Sequence, residues 1–254
     1  MIIPKSKAHQ FRFSEECKSE HVKRMHDSAK AMISRLETAI DLQWSKGNPV
    51  YNLEPLIVEK GHDINAIAQL KEFAVKVYDF DKRNVEILKS YDIDAEWRPC
   101  VLNDGLMEWV GDYGHDRDID ILHIGGVFPR RKAVLDKLKA VPCINVVEVL
   151  GIYGTEASEL MKRAKIVINI HRDSEQQAQE QLRISWAIAC GCLVVSEKSI
   201  DPAIPNGIII ESDLDGLYDT AISSLDKWSF RDAEKRKEKY LKLSEKYKKE
   251  IWKL

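Results

Sequence analysis

The 254-residue chain is 44% hydrophobic and 31% charged, a composition that supplies a real core and excludes intrinsic disorder. Its 39 Lys and Arg nearly balance 41 Asp and Glu, and the net charge of −2 excludes the overall basic signature of a nucleic-acid binder. Five cysteines with no CxxC pair argue against a zinc or disulfide framework and fit a reducing compartment.

Taken in chain order, MIIPKSKAHQFRF is too short and interrupted for a signal peptide, and no later apolar run approaches the roughly 18 residues of a membrane span. A cytoplasmic protein is the expectation. From Ser14 to about Lys46, Met25, Ala29, Met32, Ile33, Leu36 and Ile40 recur every three or four residues. That spacing predicts one long helix, capped by Ser14 and stopped by Gly47 and Pro49. PVYNLE, AVKVYDF and AEWRPCVL then read as short strands, separated by helical patterns over Asn65–Phe73 and Lys82–Ser90. Alternation of this kind predicts a parallel sheet, because parallel strands need crossover connections. Asp79 and Asp81 read as strand-end and helix-cap residues.

The pattern dissolves over NDGLMEWVGDYGHDRD, Asn103–Asp118, which reads as a link between two lobes. A second alternation follows: strand IDILHIGG, helix RRKAVLDKL, strand INVVEVLG, helix TEASELMKRA, strand KIVINIH, a helix over Glu180–Cys190, and strands CLVVSE and GIIIES. These strands are almost wholly apolar, as strands covered by helices on both faces are. From Asp213 the chain turns helical, and its last stretch, Trp228–Leu254, holds ten Lys or Arg against five Asp or Glu. Tyr240, Leu243, Tyr247 and Ile251 predict the buried stripe of an amphipathic helix there. The expected organisation is an N-terminal lobe over 1–115, a Rossmann-like lobe over 116–225 and a basic C-terminal helix over 226–254.

In open α/β sheets ligands bind beyond the carboxyl ends of the strands. In the second lobe those ends carry Gly125 and Gly126 followed by Arg130 and Arg131, then Tyr153, then His171, then Ser196 and Glu197. Glycines let backbone approach a ligand closely, arginines suit phosphate oxygens, and helix N-termini favour anions. The set fits a nucleotide carrying a diphosphate. Each member also has a purely structural reading. The double Arg suits a solvated corner, Tyr153 a core edge, His171 a strand-end cap, and Gly191 a helix C-cap. Glu180 and Arg183 suit a surface pair worth roughly 0.2–0.5 kcal/mol. Neither GxGxxG nor GxxxxGK[ST] occurs, which counts against a dinucleotide-dependent dehydrogenase and a P-loop NTPase.

The runs RDIDILHIGG…RRKAVLDKL, GIYGTEASELMKRAKIVINIH and EQLRISWAIACGCLVVSE resemble the nucleotide-sugar lobe of GT-B glycosyltransferases, in particular a group found in bacteria and large DNA viruses. PVYNLEPL and YDFDKRNVEIL resemble the end of the first lobe in that group, so the likeness spans about Pro49–Ser199. The resemblance implies two Rossmann-like lobes, the first one shortened. It also implies transfer of a sugar from a nucleoside diphosphate-sugar, a UDP-sugar foremost, to a hydroxyl on a glycan, a small molecule or a modified DNA base. Gly125, Gly126, Arg130, Arg131, Tyr153, His171, Glu180, Arg183, Ser196 and Glu197 would then bind the donor. Glu180 would meet ribose or sugar hydroxyls, Arg183 would hold Glu180 or meet the diphosphate, and Arg130 and Arg131 would neutralise the departing diphosphate. None of the D-x-D triplets in the sequence falls among these donor residues, which favours a transfer without cofactor or metal. The base that deprotonates the acceptor would come from Glu54, His62 or Asp63, which follow the Val50–Leu53 strand.

One departure stands out: many GT-B enzymes carry two glutamates eight positions apart where this chain has Ala178 and Trp186. That departure and the short first lobe leave a second expectation, a non-catalytic nucleotide-sugar-binding or scaffold protein. The basic C-terminal helix allows DNA as a partner but suits a brace packed on the protein better. The reduced first lobe makes a homodimer a further expectation.

Overall fold

The computed structural model describes residues 48–52, 56, 67–68, 71–72, 74–102, 104–152, 154–172, 174–175 and 177–253. The helix expected over 14–46 lies outside the described residues, as do Glu54, His62, Asp63 and Tyr153. The protein is α/β, built on parallel sheets. It divides into two units, Met1–Cys100 with Lys246–Leu254 and Val101–Glu245. Among the described residues no helix is long and apolar enough to cross a membrane.

The first unit holds β1 (Asn48–Asn52), β2 (Ala74–Asp79), α1 (Lys82–Ser90) and β3 (Ala95–Trp97), the strands forming a parallel sheet in the order β1-β2-β3. The strand expected over AEWRPCVL keeps only its first three residues. Pro99, two residues on, has no N–H to give to a ladder. Asp79 and Asp81 act as read from the sequence. The Asp79 carboxylate accepts from Asp81 N–H at 2.8 Å and from Asn84 Nδ2 at 3.0 Å, and Asp81 caps α1 through Arg83 N–H at 2.9 Å.

The second unit begins with α2 (Asp104–Val110), a helix where the sequence predicts a link. Leu106 and Val110, four apart, are buried, and the Trp109 ring lies 5.3 Å from that of Trp186. Burial of that aromatic pair outweighs the poor helix propensity of Gly105. There follow β4 (Ile119–Ile124), α3 (Pro129–Lys139), β5 (Val146–Val149), α4 (Gly154–Arg163), β6 (Ala164–Asn169), α5 (Gln181–Ala189), β7 (Leu193–Glu197), β8 (Ile210–Ser212), α6 (Leu217–Asp226) and α7 (Phe230–Tyr247). All five strands are parallel, in the order β5-β4-β6-β7-β8. The chain therefore steps outward from β4 to β5 and returns past it to β6, which makes the β4/β6 boundary the topological switch point. One face of the sheet packs Ile121, Ile166, Ile168 and Val195 against Leu135 and Leu138 of α3 and Leu217 and Ala221 of α6.

The opposite, N-terminal edge of this sheet is fixed by Arg117. Its Nη1 donates to the carbonyls of Ala164 at 2.6 Å and Met161 at 3.2 Å, and its Nη2 to Cys190 at 2.9 Å. One guanidinium thus satisfies the carbonyl ends of α4 and α5. Gly191 follows α5 with φ +75°, the left-handed conformation of a helix C-cap. A Cβ there would also stand 2.5 Å from the Tyr113 ring and 2.7 Å from Arg117 Nη2, so packing as well as backbone requires glycine.

On α7 the buried residues are Ala233, Lys237, Tyr240 and Ser244; of the stripe that apolar spacing predicts, Tyr240 is buried while Leu243, Tyr247 and, beyond the helix, Ile251 are half-buried. Polar groups enter because each finds a partner. Ser244 Oγ accepts from Leu102 N–H at 2.9 Å, the Tyr240 hydroxyl bonds Ser185 Oγ at 2.6 Å, and Lys237 Nζ donates to the Tyr113 hydroxyl at 2.6 Å.

Candidate functional site

The strand carboxyl ends around the switch point carry the residues singled out from sequence. β4 runs directly into Gly125 and Gly126, and α3 opens with Pro129, Arg130 and Arg131. Phe128 caps α3 without a side-chain bond, so the amide end of that helix is open. β6 ends at Asn169 opposite Ser196 of β7, with Glu197 next to it and His171 just past β6. Glu180 stands at the start of α5 and Arg183 in its first turn.

These residues form one hydrogen-bonded network. Arg130 grips Glu197 with both terminal nitrogens, while Glu197 Oε2 also accepts the His171 backbone N–H at 3.0 Å. Arg131 is buried; its Nε donates to Ile170 O at 2.8 Å and its Nη1 to Gly126 O at 2.9 Å. Arg183 Nη1 donates to Asn169 Oδ1 at 3.1 Å, and its Nη2 lies 3.3 Å from Glu180 Oε2. Asn169 in turn donates to Ser196 Oγ at 3.0 Å. His171 is held by its ring as well, with Nε2 at 2.9 Å from Lys198 O, so it serves as the cap that its strand-end place allows.

The focus of the cluster is Gly125, whose φ of +141° favours glycine. The point where a Cβ would stand is 3.6 Å from Arg131 Nη1, 3.6 Å from Arg183 Nη2 and 3.9 Å from His123 Nε2. Two guanidinium ends and an imidazole therefore stand around a methyl-sized space beside the Gly125 backbone. Burial, and then the Arg183 charge, push the Arg131 guanidinium down to about 10. Crowded like charges of this kind are stabilised by an incoming anion.

His123 was not among the residues singled out from sequence. It is fully buried near the carboxyl end of β4, with Nδ1 donating to Ile168 O at 3.4 Å and Nε2 lacking a partner among the described residues. Burial, with Arg183 and Arg131 adding to it, lowers its pKa to about 4, so the ring is neutral near pH 7. Its bare Nε2 is an acceptor. The sequence does hold a signal for it: a single histidine interrupts the apolar run IDILHIGG two residues ahead of the glycine pair. Ala178 and Trp186 are both buried, and Trp186 Nε1 donates to Ser158 Oγ at 2.9 Å. Both belong to the packing of the unit.

No family model matches the chain. Uncharacterized protein R358 of Acanthamoeba polyphaga mimivirus is 29% identical over 139 residues, which is 54% of this chain and 46% of that protein. The match thus takes in less than half of the relative's length. Among solved structures, AviGT4, a glycosyltransferase involved in avilamycin A biosynthesis, is similar at a TM-score of 0.42 and 12% identity, over 78% of this chain and 79% of that one. At that score the likeness decides neither fold nor function.

Proposed function

We propose that the second unit binds a nucleoside diphosphate-sugar, a UDP-sugar foremost, and that the protein transfers the sugar to a hydroxyl acceptor. The observation that carries this reading is the meeting of cations and bare acceptors at one point. Arg131 and Arg183 face the space at Gly125 beside the unpartnered Nε2 of His123, and the Glu180 carboxylate stands against both arginines. Simple anion sites need donors only. A site that adds acceptors suits a ligand bearing hydroxyls next to its phosphates. The place is the one where doubly wound sheets bind nucleotides. The GT-B resemblance of the surrounding motifs supports the same reading. In this scheme the arginines carry the positive charge that the departing diphosphate needs, and no metal or cofactor is required. Glu54, His62 and Asp63 remain the proposed bases for the acceptor hydroxyl, and DNA is not the favoured acceptor.

The test is thermal unfolding against UDP-, GDP-, dTDP- and ADP-sugars and their free nucleotides. A ligand at 100 times its Kd adds about 2.7 kcal/mol of stability. A shift with one nucleotide family that is lost in Arg183→Ala, followed by nucleoside diphosphate release in an acceptor screen, supports transfer. No shift with any of them overturns the donor site.

Burial of Ala178 and Trp186 where GT-B enzymes carry glutamates favours a second reading, donor binding without turnover. Under it the same nucleotide-sugar binds, yet no nucleoside diphosphate is released even over long incubation.

A further inference from the structure

The N-terminal edge of the same sheet carries a second feature, away from Gly125. Leu193 and Ile210, the first residues of β7 and β8, floor a cavity of about 520 Å³ whose wall is the turn from α6 into α7. That volume is within the range of small-molecule sites. Its charge is one-sided. Asp232 is the single acid among the described residues of the lining, and Arg236 Nε engages it at 2.8 Å. Lys227, Arg231 and Lys235 also line the cavity and have no ion-pair partner among the described residues.

Local stability does not account for this arrangement. Lys227 caps the carbonyl end of α6, where a cation is favourable. Arg231 and Lys235 are different: they stand four apart, so their charges repel, and Arg231 sits in the first turn of α7, where the helix dipole disfavours cations. Ser229 takes up the N–H groups of Asp232 and Ala233. Those of Phe230 and Arg231 have no acceptor among the described residues. An independent observation points the same way: Ser224 is only 8% exposed, lines the cavity, and its hydroxyl has no partner among the described residues.

We infer that this cavity is a second anion site, built for the phosphate group of a small phosphorylated ligand. Lys227, Arg231 and Lys235 supply its charge, Ser224 a hydroxyl, and the start of α7 its free amides. A single local hollow of this size, rather than a basic stripe running along the protein, favours a small molecule over the backbone of a nucleic-acid duplex. The inference does not depend on the proposed sugar transfer.

Lysine acetylation read by mass spectrometry tests it on the full wild-type chain, with inorganic pyrophosphate, inorganic phosphate or a short DNA duplex as probe. Pyrophosphate is expected to protect Lys227 and Lys235 while leaving the exposed Lys242 of the same helix reactive. In Arg231→Gln, whose side chain is exposed and unpaired, the protecting concentration rises at least tenfold. No protection, equal protection of Lys242, or a midpoint unmoved in Arg231→Gln overturns the site. Protection by the duplex at lower phosphate concentration, spreading to Lys242, overturns the small-ligand assignment in favour of nucleic acid.

Discussion

Arg130 and Glu197, 67 residues apart, form a two-pronged ion pair that ties the start of α3 to the end of β7. Glu197 is 5% exposed and has one further bond, from the His171 N–H. The pair joins the connection from β4 to α3, which borders Gly125, to the end of β7.

Removing the arginine leaves a nearly buried carboxylate short of its cation. Arg130→Ala is expected to lose roughly 3 kcal/mol of stability. Glu197→Gln is expected to lose less, about 1–2 kcal/mol, because the amide oxygen still accepts from His171 and the freed Arg130 reaches water. Urea denaturation of both variants checks the order, and equal losses would refute this view of the pair.

His123 gives the protein an acid sensitivity of its own. Its pKa is lowered from 6.5 to about 4, so above pH 6.5 the ring is neutral in both folded and unfolded chains. As pH falls from 6.5 towards 4 the unfolded chain takes up a proton that the folded chain refuses, and stability is lost over that window. The full loss is roughly 3 kcal/mol. His123→Gln is expected to flatten the dependence of unfolding free energy on pH between 6.5 and 4 by up to one proton, and an unchanged slope would assign the acid loss elsewhere. The same variant is expected to weaken nucleotide-sugar binding more than pyrophosphate binding, since a bare acceptor serves hydroxyls.

Gly191 carries two separate constraints. Gly191→Ala is expected to cost about 2–4 kcal/mol, part from the left-handed backbone and part from the Tyr113 ring. In a Tyr113→Ala background the ring part is gone, while the backbone part, about 1 kcal/mol, and the contact with Arg117 Nη2 remain. A double-mutant cycle on melting free energies separates the two, and no coupling would remove the ring from the account.

Arg117→Leu leaves three carbonyls at the ends of α4 and α5 without their donor and is expected to cost roughly 3 kcal/mol. Arg117→Lys recovers only part of this, because a single ammonium cannot span the Cys190 carbonyl and those of Met161 and Ala164 together. Equal stability of the Lys variant and the wild type would show that charge, not the fork, matters.

Periodicity and turn chemistry were enough to read the alternation of the second unit, from IDILHIGG to GIIIES, and the gathering of Arg130, Arg131, His171, Glu180, Arg183, Ser196 and Glu197 at one sheet edge. Both follow from local rules: apolar strands, crossover helices, and a fixed side of the sheet where loops leave the strands. Other features depend on partners far away in the chain. The helix at Asp104–Val110 forms because Trp109 meets Trp186, and α7 turns Ser244 inward because Leu102 offers an N–H. His123 becomes part of the site only when Arg131 and Arg183 close around Gly125. Hydrophobic spacing records which residues want to leave water. Only the packed fold decides which polar groups can follow them, because a buried donor or acceptor is tolerated where tertiary contact supplies its complement.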